Sequence, residues 1–277
     1  MSDRSGKGTK RSTHELMRRA GVRPEGRSDQ HFLVDERVLD RIVGYAPEVE
    51  DGHALEVGGG VGNLTQRLTE KYDRVTVVEL DRELARFLDG EFGDNVEVLQ
   101  GDAVDVPLPE FDVSVSNLPY SASSPVLFRL LPRAKPLVVT VQKEFADRVV
   151  AQPGEDDYGR LSVTAGRYAR AEIVETVPPS AFEPEPEVES AVLRFEPRQD
   201  VGELQDAFFD DVVRAVFTQR RKTLRNALRN TTHITGIDEE RVYEVPEELL
   251  SKRPGKMTPE EFEHVADSLR SEGEDGT

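Results

Sequence analysis

The sequence contains no cysteine. Disulfides and thiolate metal sites are therefore excluded, and no metal is expected. It also lacks any run of about 18 apolar residues, so no membrane-spanning helix is expected. The opening stretch MSDRSGKGTKRSTHELMRR has no apolar segment of the kind a secretory signal needs. A cytoplasmic protein without membrane contact is the expectation. Lysine is scarce, with eight against 28 arginines. Carboxylates are abundant: 54 Asp and Glu against 36 Lys and Arg, a net charge of −18. This is the balance of proteins from a high-salt cytoplasm, where carboxylates hold water and salt mutes their repulsion.

An acidic chain argues against a nucleic-acid partner, but the charge is unevenly spread. Residues 1–27 carry a net +5. Residues 212–237 carry six basic side chains and no acid, and the rest of the chain holds −29. Two basic islands in an acidic chain suggest a local binding face for an anionic partner. Arg220, Arg221, Lys222, Arg225 and Arg229 crowd the second island, with 221, 225 and 229 on one face if the segment is helical. A charge run more often marks a solvated face; the absence of acids over 26 residues favours phosphate contact.

Residues 1–27 are rich in Gly, Ser and charge, and a mobile basic tail is expected there. From 28 to 198, Val-rich runs alternate with helical periods. HALEV (53–57), RVTVVEL (74–80), VEVLQGD (96–102), FDVSVSN (111–117) and PLVVTVQ (136–142) are the runs. This alternation predicts a mostly parallel sheet with helices on both faces. EIVETV and ESAVLRF extend it as a closing pair. From about 199 the pattern is helical, with Phe209, Val213, Val216 and Phe217 on one face. Thr258, Pro259 and Glu261 spell an N-cap, a first-turn proline and a capping-box acid. A small helical domain over 199–277 is expected.

LEVGGGVGNLTQRL reads as strand, glycine turn and helix. Gly58, Gly60 and Gly62 allow positive φ and a close ligand approach. Glu79 ends the next strand and can accept both hydroxyls of a ribose; Asp102, after the third, can take an adenine amino group. A dinucleotide site prefers a wider glycine spacing, and a phosphate loop needs a Gly-Lys-Ser/Thr ending. An S-adenosylmethionine site needs only the tight turn and the two acids. NLPY, Asn117 to Tyr120, follows the fourth strand. Asn117 and the carbonyl of Leu118, stiffened by Pro119, can accept the two N–H groups of an exocyclic amine. Tyr120 offers a face on which a flipped base stacks.

The Asn-Leu-Pro-Tyr stretch resembles the amino-methyltransferases. DQHFLVD (29–35), VQKEFADRVVAQPGEDDYGRLSV, PPSAFEPEPEVESAVLRFEP and FTQRRKTLRNAL are similar to segments of the ribosomal RNA adenine N6,N6-dimethyltransferases. The likeness spans residues 28 to 262. It implies a Rossmann-like class I S-adenosylmethionine-dependent methyltransferase with a seven-stranded, mostly parallel sheet and a helical C-terminal domain. It implies a monomer that dimethylates two adjacent adenines near the 3′ end of small-subunit (16S) rRNA, on RNA or an immature 30S particle. With the composition, it points to a halophilic archaeon. An alternative is an assembly factor acting mainly by binding. By resemblance, His31, Leu33, Gly58, Gly60, Glu79, Asp102 and Asn117 hold the cofactor. Tyr120 and Phe182 sandwich the target base. His31 replaces a usual Asn, Glu187 a usual Lys, and Gly59 a usual Pro, which is expected to loosen the turn.

Overall fold

The computed structural model describes residues 10–22, 30–199 and 206–270. The chain divides into two compact units. The first runs to Ala146 and resumes over Glu172–Pro197; the second takes Asp147–Ala171 and the chain from Arg198 onward. The helical unit therefore includes residues 147–171 as well as the C-terminal stretch.

Helix α1 (Thr13–Ala20) opens the first unit. Ser12 caps it, and Gly21 ends it in the left-handed region at φ 69°. The mobile tail expected over 1–27 is thus corrected for these residues; 1–9 and 23–27 lie outside the described ones. Leu16 and Met17 are the reason. They are buried against Phe32, Val61 and Leu84, which gives the helix an apolar face to dock. Two basic side chains in and just before the helix are tied down too. Arg11 and Arg19 both pair with the nearly buried carboxylate of Glu91.

There follow β1 (Phe32–Leu33), α2 (Glu36–Tyr45), β2 (His53–Val57), α3 (Thr65–Lys71), β3 (Arg74–Glu79), α4 (Arg82–Phe92), β4 (Glu97–Gln100), β5 (Val113–Asn117), α5 (Ser123–Leu130) and β6 (Leu137–Gln142). After α6 (Lys143–Val150) and α7 (Arg160–Tyr168) come β7 (Ala169–Val177), β8 (Phe182–Glu183) and β9 (Ser190–Pro197). The seven-stranded sheet has the order β4-β3-β2-β5-β6-β9-β7. Its first five strands are parallel, and β9 runs antiparallel to β6. Burial on both faces explains the near-continuous apolar runs of the inner strands, while the edge strands β4 and β7 are partly exposed. The strand order reverses between β2 and β5, so a crevice opens beyond their carboxyl ends. A two-stranded pair, β1 with β8, sets Leu33 opposite Phe182.

The second unit contains α6 from Asp147 on, α7, α8 (Ala207–Phe217), α9 (Leu224–Asn230), α10 (Thr232–Thr235), α11 (Glu247–Leu250) and α12 (Pro259–Leu269). Its core joins Phe209, Val213, Val216, Leu228, Phe262 and Val265. The capping box at Thr258 and Glu261 forms as expected, with Pro259 in the first turn. One helix over 207–230 does not form. The chain leaves α8 after Phe217 and turns through 218–223 before α9 begins.

Candidate active site

The glycine turn sits at the carboxyl end of β2. Gly58, Gly60 and Gly62 adopt φ of 78°, 54° and 82°. A β-carbon at Gly60 would meet the Phe32 ring at 3.3 Å, and one at Gly58 would meet Pro119 Cδ at 3.4 Å. Gly59 has no such φ, yet it is buried. A β-carbon there would lie 2.3 Å from Val77 Cγ1 and 2.9 Å from Leu88 Cδ1. The turn is therefore closely packed at Gly59, which corrects the expectation that glycine loosens it.

Glu79 ends β3 and is tied to the turn. Its Oε2 accepts the Gly60 N–H at 2.8 Å, and its Oε1 the Asp81 N–H at 2.9 Å. Burial raises its pKa, while those backbone donors pull the other way. Glu56, on β2, is 1 % exposed. Burial pushes its carboxyl well above the usual range, Thr65 Oγ1 donates to it at 2.6 Å, and the charge of Glu79 adds to the rise. Asp102 follows β4 and is exposed; its Oδ1 accepts the Val104 N–H at 2.8 Å.

Across the crevice, Asn117 ends β5 and its Nδ2 donates to the His31 carbonyl at a long 3.4 Å. Leu118 is buried, with its N–H bonded to the Thr140 carbonyl. Tyr120 is half-buried, its hydroxyl 2.7 Å from Ser190 Oγ and its ring stacked on His31. One pocket, with about 400 Å³ of free volume, is lined by every cofactor and base position expected from the sequence: His31, Leu33, Gly58, Gly60, Glu79, Asp102, Asn117 to Tyr120, and Phe182. Phe182 is only 3 % exposed and belongs to the core cluster with Leu33 and Leu39. Its ring forms pocket wall here and presents little open face.

Among the lining residues that escaped the sequence reading, two are unusually exposed. Leu80 is 64 % exposed and Val104 36 % exposed, among the few large apolar side chains left open to solvent. Each lies within two positions of an acid already singled out. Uncovered apolar faces beside Glu79 and Asp102 suit the two sides of a planar base. An apolar residue directly after the strand-end acid was the available signal.

The basic island is less open than its sequence suggests. Arg225 pairs with Glu247 and lies 5.8 Å from the Tyr243 ring centre. Arg229 Nε meets Glu239 at 2.5 Å. Arg220 donates to the carbonyls of Asp156 and Glu155 at 2.7 and 2.9 Å. Carboxylates from just outside the segment, Glu239 and Glu247, thus pair with a stretch that has none of its own. Arg221 and Lys222 are exposed in the turn between α8 and α9, so the shared helical face through 221, 225 and 229 does not exist.

A parallel sheet with a glycine turn at its switch point, an acid after each of the next two strands and NLPY facing them defines a class I S-adenosylmethionine-dependent methyltransferase. The family described as ribosomal RNA adenine dimethylase matches residues 25–246, and the chain belongs to that family. A relative from the halophilic archaeon Natronomonas pharaonis, named as a probable ribosomal RNA small subunit methyltransferase A, is 57 % identical over 265 residues. The match covers 92 % of this chain and 97 % of the relative. A dimethyladenosine transferase from Plasmodium falciparum superposes with a TM-score of 0.74 at 27 % identity, over 85 % of this chain and 96 % of that one. The 23S rRNA methyltransferase ErmE gives 0.61 at 27 % identity, over 86 % and 99 %. The halophilic relative agrees with the acid-rich, lysine-poor composition.

Proposed function

We propose that the chain transfers methyl groups from S-adenosylmethionine to the N6 amines of two adjacent adenines near the 3′ end of small-subunit rRNA. The single observation that carries this reading is the convergence of Glu79, Asp102, Asn117 and Tyr120 on one pocket. The family likeness supplies the substrate class.

The residues present fit the cofactor. A β-carbon at Gly60 would crowd the Phe32 ring, and the positive φ at both Gly58 and Gly60 disfavours any side chain in the cradle. Glu79 retains lone pairs for ribose hydroxyls beyond the two backbone donors it accepts. Asp102 takes the adenine amino edge, with Leu80 and Val104 against the ring faces. Leu33 and His31 close the pocket near Asn117. When bound, S-adenosylmethionine supplies an electrophilic methyl group on a sulfonium centre.

The amine is a poor nucleophile because its lone pair is delocalised into the base. Asn117 Nδ2 is directed at the His31 carbonyl, which leaves Oδ1 to accept one N–H of the amine. The Leu118 carbonyl accepts the other. Together they draw the nitrogen towards a tetrahedral shape and aim its lone pair. Tyr120 holds the base plane. Positioning accounts for most of the rate, and the proton acidified by transfer passes to water.

The helical unit supplies RNA contact through Arg221 and Lys222, which are exposed and, unlike the equally exposed Arg214 and Arg229, make no ion pair among the described residues. Arg220 fixes their turn, while Arg225 and Arg229 contact phosphate after exchanging a carboxylate for it. The protein acts in the cytoplasm as a monomer, on RNA or an immature 30S particle.

Transfer of labelled methyl groups to unmethylated small subunits at high salt tests the reading. Wild-type protein should yield N6,N6-dimethyladenine, and Asn117→Ala should bind RNA but transfer nothing. Failure of the wild-type chain to transfer would leave only a role as an assembly factor that binds the subunit.

A further inference from the structure

Tyr120 is held both at its hydroxyl and at its ring. Its hydroxyl lies 2.7 Å from Ser190 Oγ. Ser190 is fully buried at the first position of β9, in register with Gln142 at the end of β6. On the ring itself, His31 stacks with centroids 5.4 Å apart and planes 30° from parallel. His31 is fixed in turn, with Nδ1 2.8 Å from the Pro184 carbonyl oxygen. A buried serine on a rigid strand, bonded to a ring that is only half-buried, sets where that ring's open face lies.

We propose that Ser190 is a positioning residue for the second methyl transfer. By holding the Tyr120 hydroxyl it fixes the stacking face that keeps a once-methylated adenine aligned. The inference rests on the functional reading above. Its physical basis is a count of hydrogen bonds. The unmodified amine has two N–H groups for the two acceptors at Asn117 and Leu118. In each transfer its lone pair takes the methyl carbon, the carbon–sulfur electron pair stays with sulfur, and one N–H proton passes to water. Two transfers consume two methyl donors. After the first, one N–H remains, one acceptor has lost its partner, and base alignment depends more heavily on Tyr120. Loosening the tyrosine should therefore impair the second transfer more than the first.

Ser190→Ala and Tyr120→Phe remove the same hydrogen bond from its two ends. The test incubates unmethylated small subunits with labelled S-adenosylmethionine at high salt, then separates N6-methyl- from N6,N6-dimethyladenine after nuclease digestion. Each variant should raise the mono- to dimethyl ratio about fivefold, with a smaller fall in the first transfer. The double variant should be no worse than either single one. An unchanged ratio, even with both transfers slowed, marks a merely structural role and overturns the proposal, as does full additivity in the double variant. If Ser190→Ala does not fold, Tyr120→Phe at the half-buried ring carries the ratio test alone. No transfer by the wild-type chain overturns the functional reading and this proposal with it; dimethylation by wild type with an unshifted ratio in the variants overturns this proposal alone.

Discussion

The backbone N–H of Gly60 donates to Glu79 Oε2 at 2.8 Å, so the turn after β2 and the acid ending β3 form one hydrogen-bonded unit. Glu79→Gln replaces one acceptor oxygen with an NH₂ donor, which cannot serve both the turn and a ribose. Affinity for S-adenosylhomocysteine, measured by calorimetry, should fall about 10- to 100-fold, the range expected for a lost hydrogen bond to a charged group. Unchanged affinity would remove Glu79 from the site.

Leu80 offers a cleaner probe of the same pocket. At 64 % exposed it contributes little to the fold, so Leu80→Ala should leave the melting temperature alone. The variant should bind the cofactor product about tenfold more weakly, the effect of uncovering part of one apolar side chain. A drop in thermal stability without a change in affinity would place Leu80 in the core instead.

Gly59 has no room for a side chain. Gly59→Ala places a methyl 2.3 Å from Val77 Cγ1 and should destabilise the first unit by about 1–3 kcal/mol. Val77→Ala opens that space. The double variant should therefore unfold later than the sum of the single effects predicts. Simple additivity in chemical denaturation would show that the turn relaxes without resistance from Val77.

Much of this was legible beforehand because it is local or periodic. The sheet follows from Val-rich runs between helical periods, the turn from three glycines, and the cap at Thr258 from residues three apart. The basic face was not legible, because its neutralising partners, Glu239 and Glu247, arrive through the fold. Helix α1 was hidden for a related reason. Its apolar face is little more than Leu16 and Met17 among charged neighbours, and only docking on Phe32 and Val61 gives that face value. The burial of Phe182 depends on its pairing with Leu33, which no spacing in the sequence encodes.

Arg221 and Lys222 should contribute more to RNA binding than their paired neighbours. Replacing both with Ala should weaken binding uniformly across RNA sequences and reduce the slope of log K against log salt by about 1–2. Arg229→Ala should change that slope less, since Glu239 already occupies its guanidinium. Filter binding over a range of KCl concentrations separates the cases, and equal slopes for both variants would refute the division.

Glu56 makes stability depend on pH with a definite sign. Its folded-state pKa is raised, chiefly by burial, so the folded chain keeps a proton that the unfolded chain gives up above about pH 4.3. The stability associated with that proton is fully present below the unfolded value and is lost as pH rises through the folded one. Glu56→Gln keeps the shape and an acceptor for Thr65, but cannot ionise. Asp210 is raised in the same direction and remains in both proteins, while Glu79, whose charge adds to the rise at Glu56, is coupled to it, so the difference between variant and wild type reports Glu56 together with that coupling. The two should melt alike in mild acid. At alkaline pH the variant should melt higher, by about 2–4 °C for each kcal/mol of burial penalty relieved. Melting curves that stay parallel across the whole pH range would mean that Glu56 is already ionised in the folded protein.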